Sequence, residues 1–245
     1  MKQTILFDLD DTLIHCNRYF HLIIDQFASL MEDMFQPYRL TADEVRAKQT
    51  EIDIAGVQIV GFQSDHFPQS FVETYRYFAD SLGRPRSRHE EDAIWQLGIS
   101  VYELDTEPYP HMEETLRDLT EQGHELHLYT GGEPLIQHKK IDRFRLERYF
   151  GDRIYVRRHK NIEALEGILQ QLGVDRAKTW MIGNSIRTDV VPALTAGIHA
   201  IHMQAETEWV YNIVGIDVEP QGAFLRLNHL DEVPSAIERY VQQRL

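Results

Sequence analysis

The sequence predicts an α/β fold: a doubly wound, Rossmann-like parallel sheet interrupted after its first strand by an all-helical insert. Two observations carry this. Beyond Val101, short apolar runs alternate with amphipathic helical stretches, the pattern of a parallel sheet covered on both faces. Between Cys16 and about Gly98 there is helical periodicity and no strand pattern, and the strand ahead of it has no sheet to join except the later one. The expected division is a core of residues 1–16 and 98–245, with an inserted domain of residues 17–97.

In chain order, Ile5, Leu6 and Phe7 form a β-prone run that ends at Asp8, and Asp10 and Asp11 are poor strand formers, so the chain must turn there. Phe20, Ile23, Ile24, Phe27, Leu30, Met31, Met34 and Phe35 recur at helical spacing from Tyr19 until Pro37 closes the stretch. Thr41 and Glu44 have the spacing of a capping box, which opens a second helix through Val45 to about Ile52. Phe71, Val72, Tyr75, Phe78 and Leu82 trace a third helix, ended by Gly83 and Pro85, and Ile94, Trp95 and Leu97 a short fourth.

In the later half, Met112, Leu116 and Leu119 mark a helix ended at Gly123, and Leu126 and Leu128 a strand running into Tyr129, Thr130, Gly131 and Gly132. A helix is expected over residues 134–144, a strand over 154–156, a helix over 162–172 and a strand over 179–182. A helix over 189–196, strands over 198–203 and 224–227 and a final amphipathic helix over 231–240 complete the alternation.

At 245 residues the chain has room for one large α/β domain, or for a medium domain with a smaller insert. Its 25 Lys and Arg against 39 Asp and Glu give a net charge of -14, which repels nucleic acid backbones and anionic membrane surfaces. Cys16 is the only cysteine, which excludes an internal disulfide and a cysteine-based zinc site. Asp8, Asp10 and Asp11 break the apolar run near the start before it reaches the length of a secretory signal, and nothing approaches a membrane span. A cytoplasmic protein with no nucleic acid or membrane partner is expected.

Chemistry-bearing residues lie at four strand ends: Asp8 and Asp10; Thr130 followed by two glycines; Lys160 after Arg157, Arg158 and His159; and Gly183, Asn184 and Ser185 with Asp189. Parallel strands bring their carboxyl ends to one edge, so these groups should converge. Two carboxylates held close repel unless a cation lies between them or one keeps its proton, and either outcome serves catalysis. The Thr130 hydroxyl beside glycine backbone can donate to a phosphate oxygen. Each residue also has a plainer reading: a solvated acidic turn, a glycine turn, a surface lysine, or a carboxylate favouring a helix N-terminus at Asp189.

Taken in order, the four blocks resemble the four motifs of the haloacid dehalogenase superfamily, in its phosphatase branch with a helical cap inserted after the first strand. The resemblance covers residues 2–15 and roughly 101–205; over the insert it extends only to position and helical character. It implies a Mg²⁺-dependent phosphatase acting on a small phosphorylated metabolite. Asp8 would be the nucleophile, forming a phosphoaspartate, and Asp10 the general acid and later base. Thr12 would steady the acidic turn. Leu9, Asp10, Thr130, Gly131 and Lys160 would contact the phosphate, with Thr130 and Lys160 holding its transferring oxygens and Lys160 offsetting the charge of Asp8. Asp8, the backbone carbonyl of Asp10, Asp189 and Asn184 would form the Mg²⁺ site, an all-oxygen set that suits this ion. The helical insert would be the cap that selects the leaving group and excludes water.

One position departs from the family, which often has aspartate where this chain has Asn184. The site loses a negative charge, so weaker Mg²⁺ binding or altered geometry is expected, and Asn184→Asp should tighten the metal. Haloacid dehalogenases lack the carboxylate at the Asp10 position, which favours phosphoryl transfer here. A phosphotransferase or mutase, and a non-catalytic phosphate-binding module, are the alternatives. His199 and His202, Arg157 and Arg158, and the Phe and Met stripe of the first inserted helix are read as structural or solvated.

Overall fold

The computed structural model describes residues 1–243. It divides into two compact units: Met1–Asn17 together with the chain from Thr106 onward, and Arg18–Asp105. Among the described residues, six strands form one sheet: β1 (Thr4–Phe7), β2 (Glu125–Gly131), β3 (Ile154–Arg157), β4 (Thr179–Gly183), β5 (His199–Met203) and β6 (Phe224–Leu227). Their spatial order is β3-β2-β1-β4-β5-β6, and every pairing is parallel. The chain builds outward from β1 through β2 to β3, then returns to the other side of β1 for β4. The strand order therefore reverses beside β1, and ligands in open α/β sheets bind past the carboxyl ends at such a point.

The helical unit contains α1 (Asn17–Met34), α2 (Ala42–Val60), α3 (His66–Ser81) and α4 (Arg88–Ile99). The capping box at α2 forms as its spacing predicts: Thr41 Oγ1 accepts from the Glu44 amide, and Glu44 accepts from the Thr41 amide at 2.9 Å. Such a cap contributes about 1 kcal/mol. The helix runs well past Ile52, because its buried stripe is Val45, Gln49, Asp53 and Val57. Two polar residues interrupt the apolar pattern without leaving the core side. Gln49 donates to Ser70 Oγ at 3.0 Å, and Asp53 faces His66 Nε2 at 3.4 Å. Phe27, Phe71 and Tyr75 are fully buried in this unit's own apolar cluster, with Phe27 stacked on Phe71.

Among the described residues, six helices cover the sheet: α5 (Met112–Glu121), α6 (Pro134–Arg143), α7 (Glu147–Phe150), α8 (Ile162–Leu172), α9 (Val191–Thr195) and α10 (Glu232–Gln242). The period-2 alternation of the strands sorts them. Ile5, Phe7, Leu126, Leu128, Trp180 and Ile182 pack with Leu116 of α5, Ile141 of α6, Phe150 of α7 and Ile237 of α10. Leu6, Tyr129, Met181 and Ala200 pack with Leu165 and Ile168 of α8 and Leu194 of α9. The short α7 lies outside the predicted elements, since one turn of helix leaves no periodic signal. Where a helix over 189–196 is predicted, the chain makes a π-helical turn over Ile186–Val190 before α9. The Ser185 carbonyl accepts from both Asp189 and Val190, at 3.0 and 3.1 Å, which widens that turn.

On either side of the insertion, the outgoing and returning chain pair with each other. The His15 amide donates to the Glu107 carbonyl at 2.8 Å, the Tyr109 amide to the Leu13 carbonyl at 2.9 Å, and Ile14 forms an antiparallel bridge with Pro108. Among the described residues, no helix is long and apolar enough to cross a membrane.

Candidate active site

The Asp8 amide donates to the Ile182 carbonyl at 2.9 Å, which extends the β1–β4 ladder one residue past the end of β1. The chain then turns sharply. The buried Leu9 turns its side chain into the core, and its carbonyl accepts from the amides of Thr12, Leu13 and Ile14. Asp11 takes φ 57°, and its carboxylate accepts from the amides of Cys16 and Asn17 at 3.0 and 2.9 Å. Aspartate tolerates this left-handed conformation better than most residues and caps the amides that follow. The turn sends the carboxylates of Asp8 and Asp10 to different partners.

Asp8 enters a buried cluster. Lys160 Nζ lies 2.6 Å from its Oδ1 and is also ion-paired with Asp189, while Thr12 Oγ1 donates to its Oδ2 at 3.0 Å. The same Thr12 hydroxyl accepts from the Asn184 amide at 3.1 Å, which ties the end of β4 to the turn after β1. Asp189 reaches this point from the π-helical turn, and a Cβ at Gly183 would overlap its carboxylate. Glycine at 183 is therefore what lets Asp189 lie against the strand end.

Asp10 instead faces α6. Its carboxylate meets Lys140 Nζ at 2.8 and 2.9 Å and accepts from Gln137 Nε2 at 3.0 Å. Gln137 Nε2 also donates to Thr130 Oγ1 at 2.6 Å, and the Thr130 hydroxyl in turn donates to the Gly131 carbonyl at 3.4 Å, a long contact that a better acceptor can replace. Thr130 is fully buried, and Gly131 ends β2 beside it. Gly132 has φ 138°, and a Cβ there would come within 3.0 Å of the Gln137 side chain. The Gly132 amide is bonded to the Arg157 carbonyl at 3.0 Å, so of the two glycines this one does not offer its N–H to a ligand.

Burial is the dominant electrostatic influence. It raises the carboxyl pKa of Asp8 and of Asp189, and Lys160 opposes it at both. Burial alone would lower the Lys160 pKa, but Asp189 and Asp8 together outweigh it and hold the ammonium charged. Two carboxyl groups thus share one ammonium in an oxygen-rich site.

That donor set fits Mg²⁺. Asp8, Asp189 and the Asn184 Oδ1 atom, 3.5 Å from Thr12 Oγ1, present two carboxylates and one amide oxygen at one strand edge. Among the described residues, no group of three or more His, Cys, Asp and Glu gathers into a metal cage. Mg²⁺ characteristically takes one or two protein carboxylates and completes its shell with water and phosphate oxygens.

The structure thus brings Asp8, Lys160, Asp189, Asn184 and Thr12 together and joins Thr130 to Asp10 through Gln137. His199 and His202 make structural contacts: His199 bonds the Ala177 carbonyl and the Ala223 amide, and His202 bonds the Asn184 carbonyl. Sequence reasoning missed Gln137, Lys140 and Glu208. Gln137 lies four residues before the buried Ile141, which sets it on the inward face of α6, and Lys140 is one helical turn from Gln137. Glu208 lies in the loop after β5, a fifth strand end at the same edge, and accepts from Asn184 Nδ2 at 3.1 Å.

The family model described as haloacid dehalogenase-like hydrolase matches residues 2–197. A glyceraldehyde 3-phosphate phosphatase from Methanothermobacter thermautotrophicus is 24% identical over 216 residues, covering 84% of this chain and 87% of that protein. A haloacid dehalogenase-like hydrolase from Xanthomonas campestris superposes with a TM-score of 0.79 at 21% identity, covering 99% of this chain and 93% of that one. The hydrolase YfnB from Bacillus subtilis, solved bound to magnesium, has a TM-score of 0.64 at 16% identity, covering 96% of this chain and 98% of that one. The match to most of the chain, over a sheet whose strand order reverses beside Asp8, places this protein in the haloacid dehalogenase-like hydrolase family.

Proposed function

We propose that the protein is a Mg²⁺-dependent phosphatase that hydrolyses a small phosphorylated metabolite through a phosphoaspartate on Asp8. The observation that carries this reading is the Asp8 carboxylate held between Lys160 and Thr12, with a second carboxylate, Asp10, two residues on and bound to α6.

In the first half-reaction an Asp8 oxygen attacks phosphorus, and the ester oxygen leaves with a proton supplied by Asp10. Thr130 and Lys160 hold the phosphoryl oxygens, together with the backbone at Leu9, Asp10 and Gly131. In the second half-reaction Asp10 takes a proton from water, which attacks phosphorus and releases Asp8. For either transfer Asp10 must exchange its contacts with Lys140 and Gln137 for the leaving oxygen or the water. Asp8, Asp189, Asn184 and the Asp10 carbonyl would hold Mg²⁺, which offsets the charge between carboxylate and phosphate. The helical unit, inserted where the family carries its cap, is read as that cap. The phosphatase among the relatives acts, by its name, on a three-carbon phosphate, which supports a small metabolite as the substrate class.

The test is phosphate release across a panel of phosphorylated metabolites, with and without Mg²⁺, for the native protein and Asp8→Asn. Mg²⁺-dependent release from at least one compound is expected, with a loss of at least about a thousandfold in Asp8→Asn. Release that survives this substitution refutes the nucleophile. Silence of the native protein across the panel refutes the phosphatase reading.

A further inference from the structure

Glu208 has no part in the motifs described above, yet its carboxylate ends within the site. Its Oε1 accepts from Asn212 Nδ2 at 2.6 Å, from the Trp209 amide at 3.1 Å and from Asn184 Nδ2 at 3.1 Å, and its Oε2 lies 3.4 Å from the same Asn184 nitrogen. The loop that bears it is anchored from the π-helical turn, where Arg187 Nε donates to the Tyr211 carbonyl at 2.6 Å and the guanidinium lies over the Tyr211 ring.

The Asn184 backbone is held on both sides, its amide by Thr12 Oγ1 and its carbonyl by His202 Nε2. What remains to be set is which way its side-chain amide points. With Nδ2 on the Glu208 carboxylate, Oδ1 faces Thr12 Oγ1, which itself bonds Asp8; reversed, the amide would set its oxygen against a carboxylate. We infer that Glu208 is a positioning residue for the metal side of the site: it orients Asn184 so that Oδ1 faces the ion, and it returns to the site the negative charge that asparagine lacks. This rests on the Mg²⁺ reading above.

The pairing also accounts for asparagine at this position. An aspartate at 184 would set its carboxylate against Glu208, two like charges in hydrogen-bonding range. Asn184→Asp alone is then expected not to tighten Mg²⁺, the reverse of what the sequence alone suggests. Glu208→Gln can keep all three acceptor contacts of Oε1, but it sets an amide nitrogen where Oε2 faces Asn184 Nδ2, donor against donor. In the double variant Asn184→Asp with Glu208→Gln, that nitrogen donates to the new carboxylate and the charge of the pair is unchanged.

The experiment is calorimetric titration of Mg²⁺ into the full-length protein without substrate, for these three variants and for Asp189→Asn, with thermal unfolding as a check on folding. Glu208→Gln should weaken Mg²⁺ by about ten- to a hundredfold, as loss of an outer-sphere partner does, and the double variant should recover most of that. A purely structural role for Glu208 would not be reversed by a second substitution at Asn184. If Asp189→Asn weakens Mg²⁺ and Glu208→Gln leaves it unchanged, the metal reading stands and the role of Glu208 falls. If neither weakens it, the metal reading falls and takes this inference with it. Should Glu208→Gln fail to fold, Asn184→Asp still decides, because a clear gain in Mg²⁺ affinity in that variant overturns the inference.

Discussion

Lys140 and Asp10 form an ion pair at 2.8 Å across 130 residues of sequence. The contact ties the turn after β1 to α6, so the carboxylate proposed to carry protons is held by a helix outside the four motifs.

Replacing Lys140 with Met removes a charge-assisted contact that contributes about 1.5–3 kcal/mol where it forms. Because Lys140 holds the Asp10 carboxylate, which is proposed to act on protons, and not the Asp10 backbone, which is proposed to contact the phosphate, kcat should fall about 10- to 100-fold with little change in KM. Steady-state kinetics on any compound the native protein turns over would check this. A rise in KM at constant kcat would assign Lys140 to substrate binding instead.

At Thr12, replacement by Val keeps the shape but removes the hydroxyl that donates to Asp8 and accepts from the Asn184 amide. The Asn184 amide is then left without that partner, at a cost of about 1–3 kcal/mol. Urea unfolding should register this loss for Thr12→Val and little of it for Thr12→Ser.

Gly183→Ala tests whether the close approach of Asp189 matters. The new Cβ would overlap the Asp189 carboxylate, and this acid is held by Lys160 and the Ser185 amide. The carboxylate must move, so Mg²⁺ binding should be lost even though the glycine has an ordinary φ. A calorimetric titration identical to that of the native protein would show that the strand end can give way without disturbing the ion.

In the helical unit, burial raises the Asp53 carboxyl pKa from 3.8 to about 6, with His66 opposing the shift. Between these values the folded chain keeps a proton that the unfolded chain has released, so this group's contribution to stability falls as pH rises through the window. Chemical unfolding at pH 4, 5, 6 and 7 should show the decline in the native protein and a shallower slope in Asp53→Asn. Parallel slopes would remove Asp53 as the cause.

The sheet and most of the helices were legible because apolar runs ending in polar residues mark parallel strands, and because Thr41, Gly83 and Gly123 punctuate the helices. Asp8, Lys160, Asn184 and Asp189 could be brought together from sequence for the same reason, since each follows a strand. The sequence pattern carries α2 only to about Ile52, because a polar residue on a buried face, such as Asp53, cannot be told from an exposed one by periodicity. Gln137 and Lys140 were invisible on the same ground. Glu208 escaped for another: it sits in a loop, and its meaning depends on Asn184, which lies 24 residues away.

The paired strands at the insertion point have a consequence for how the chain can vary. Because His15 and Glu107, and Leu13 and Tyr109, are already bonded within the sheet-bearing unit, the ends of the inserted segment are closed by the core itself. In polymer terms the insert is a loop whose closure entropy grows only with the logarithm of its length. Segments of different size and sequence can therefore be exchanged there at little thermodynamic cost to the sheet-bearing unit.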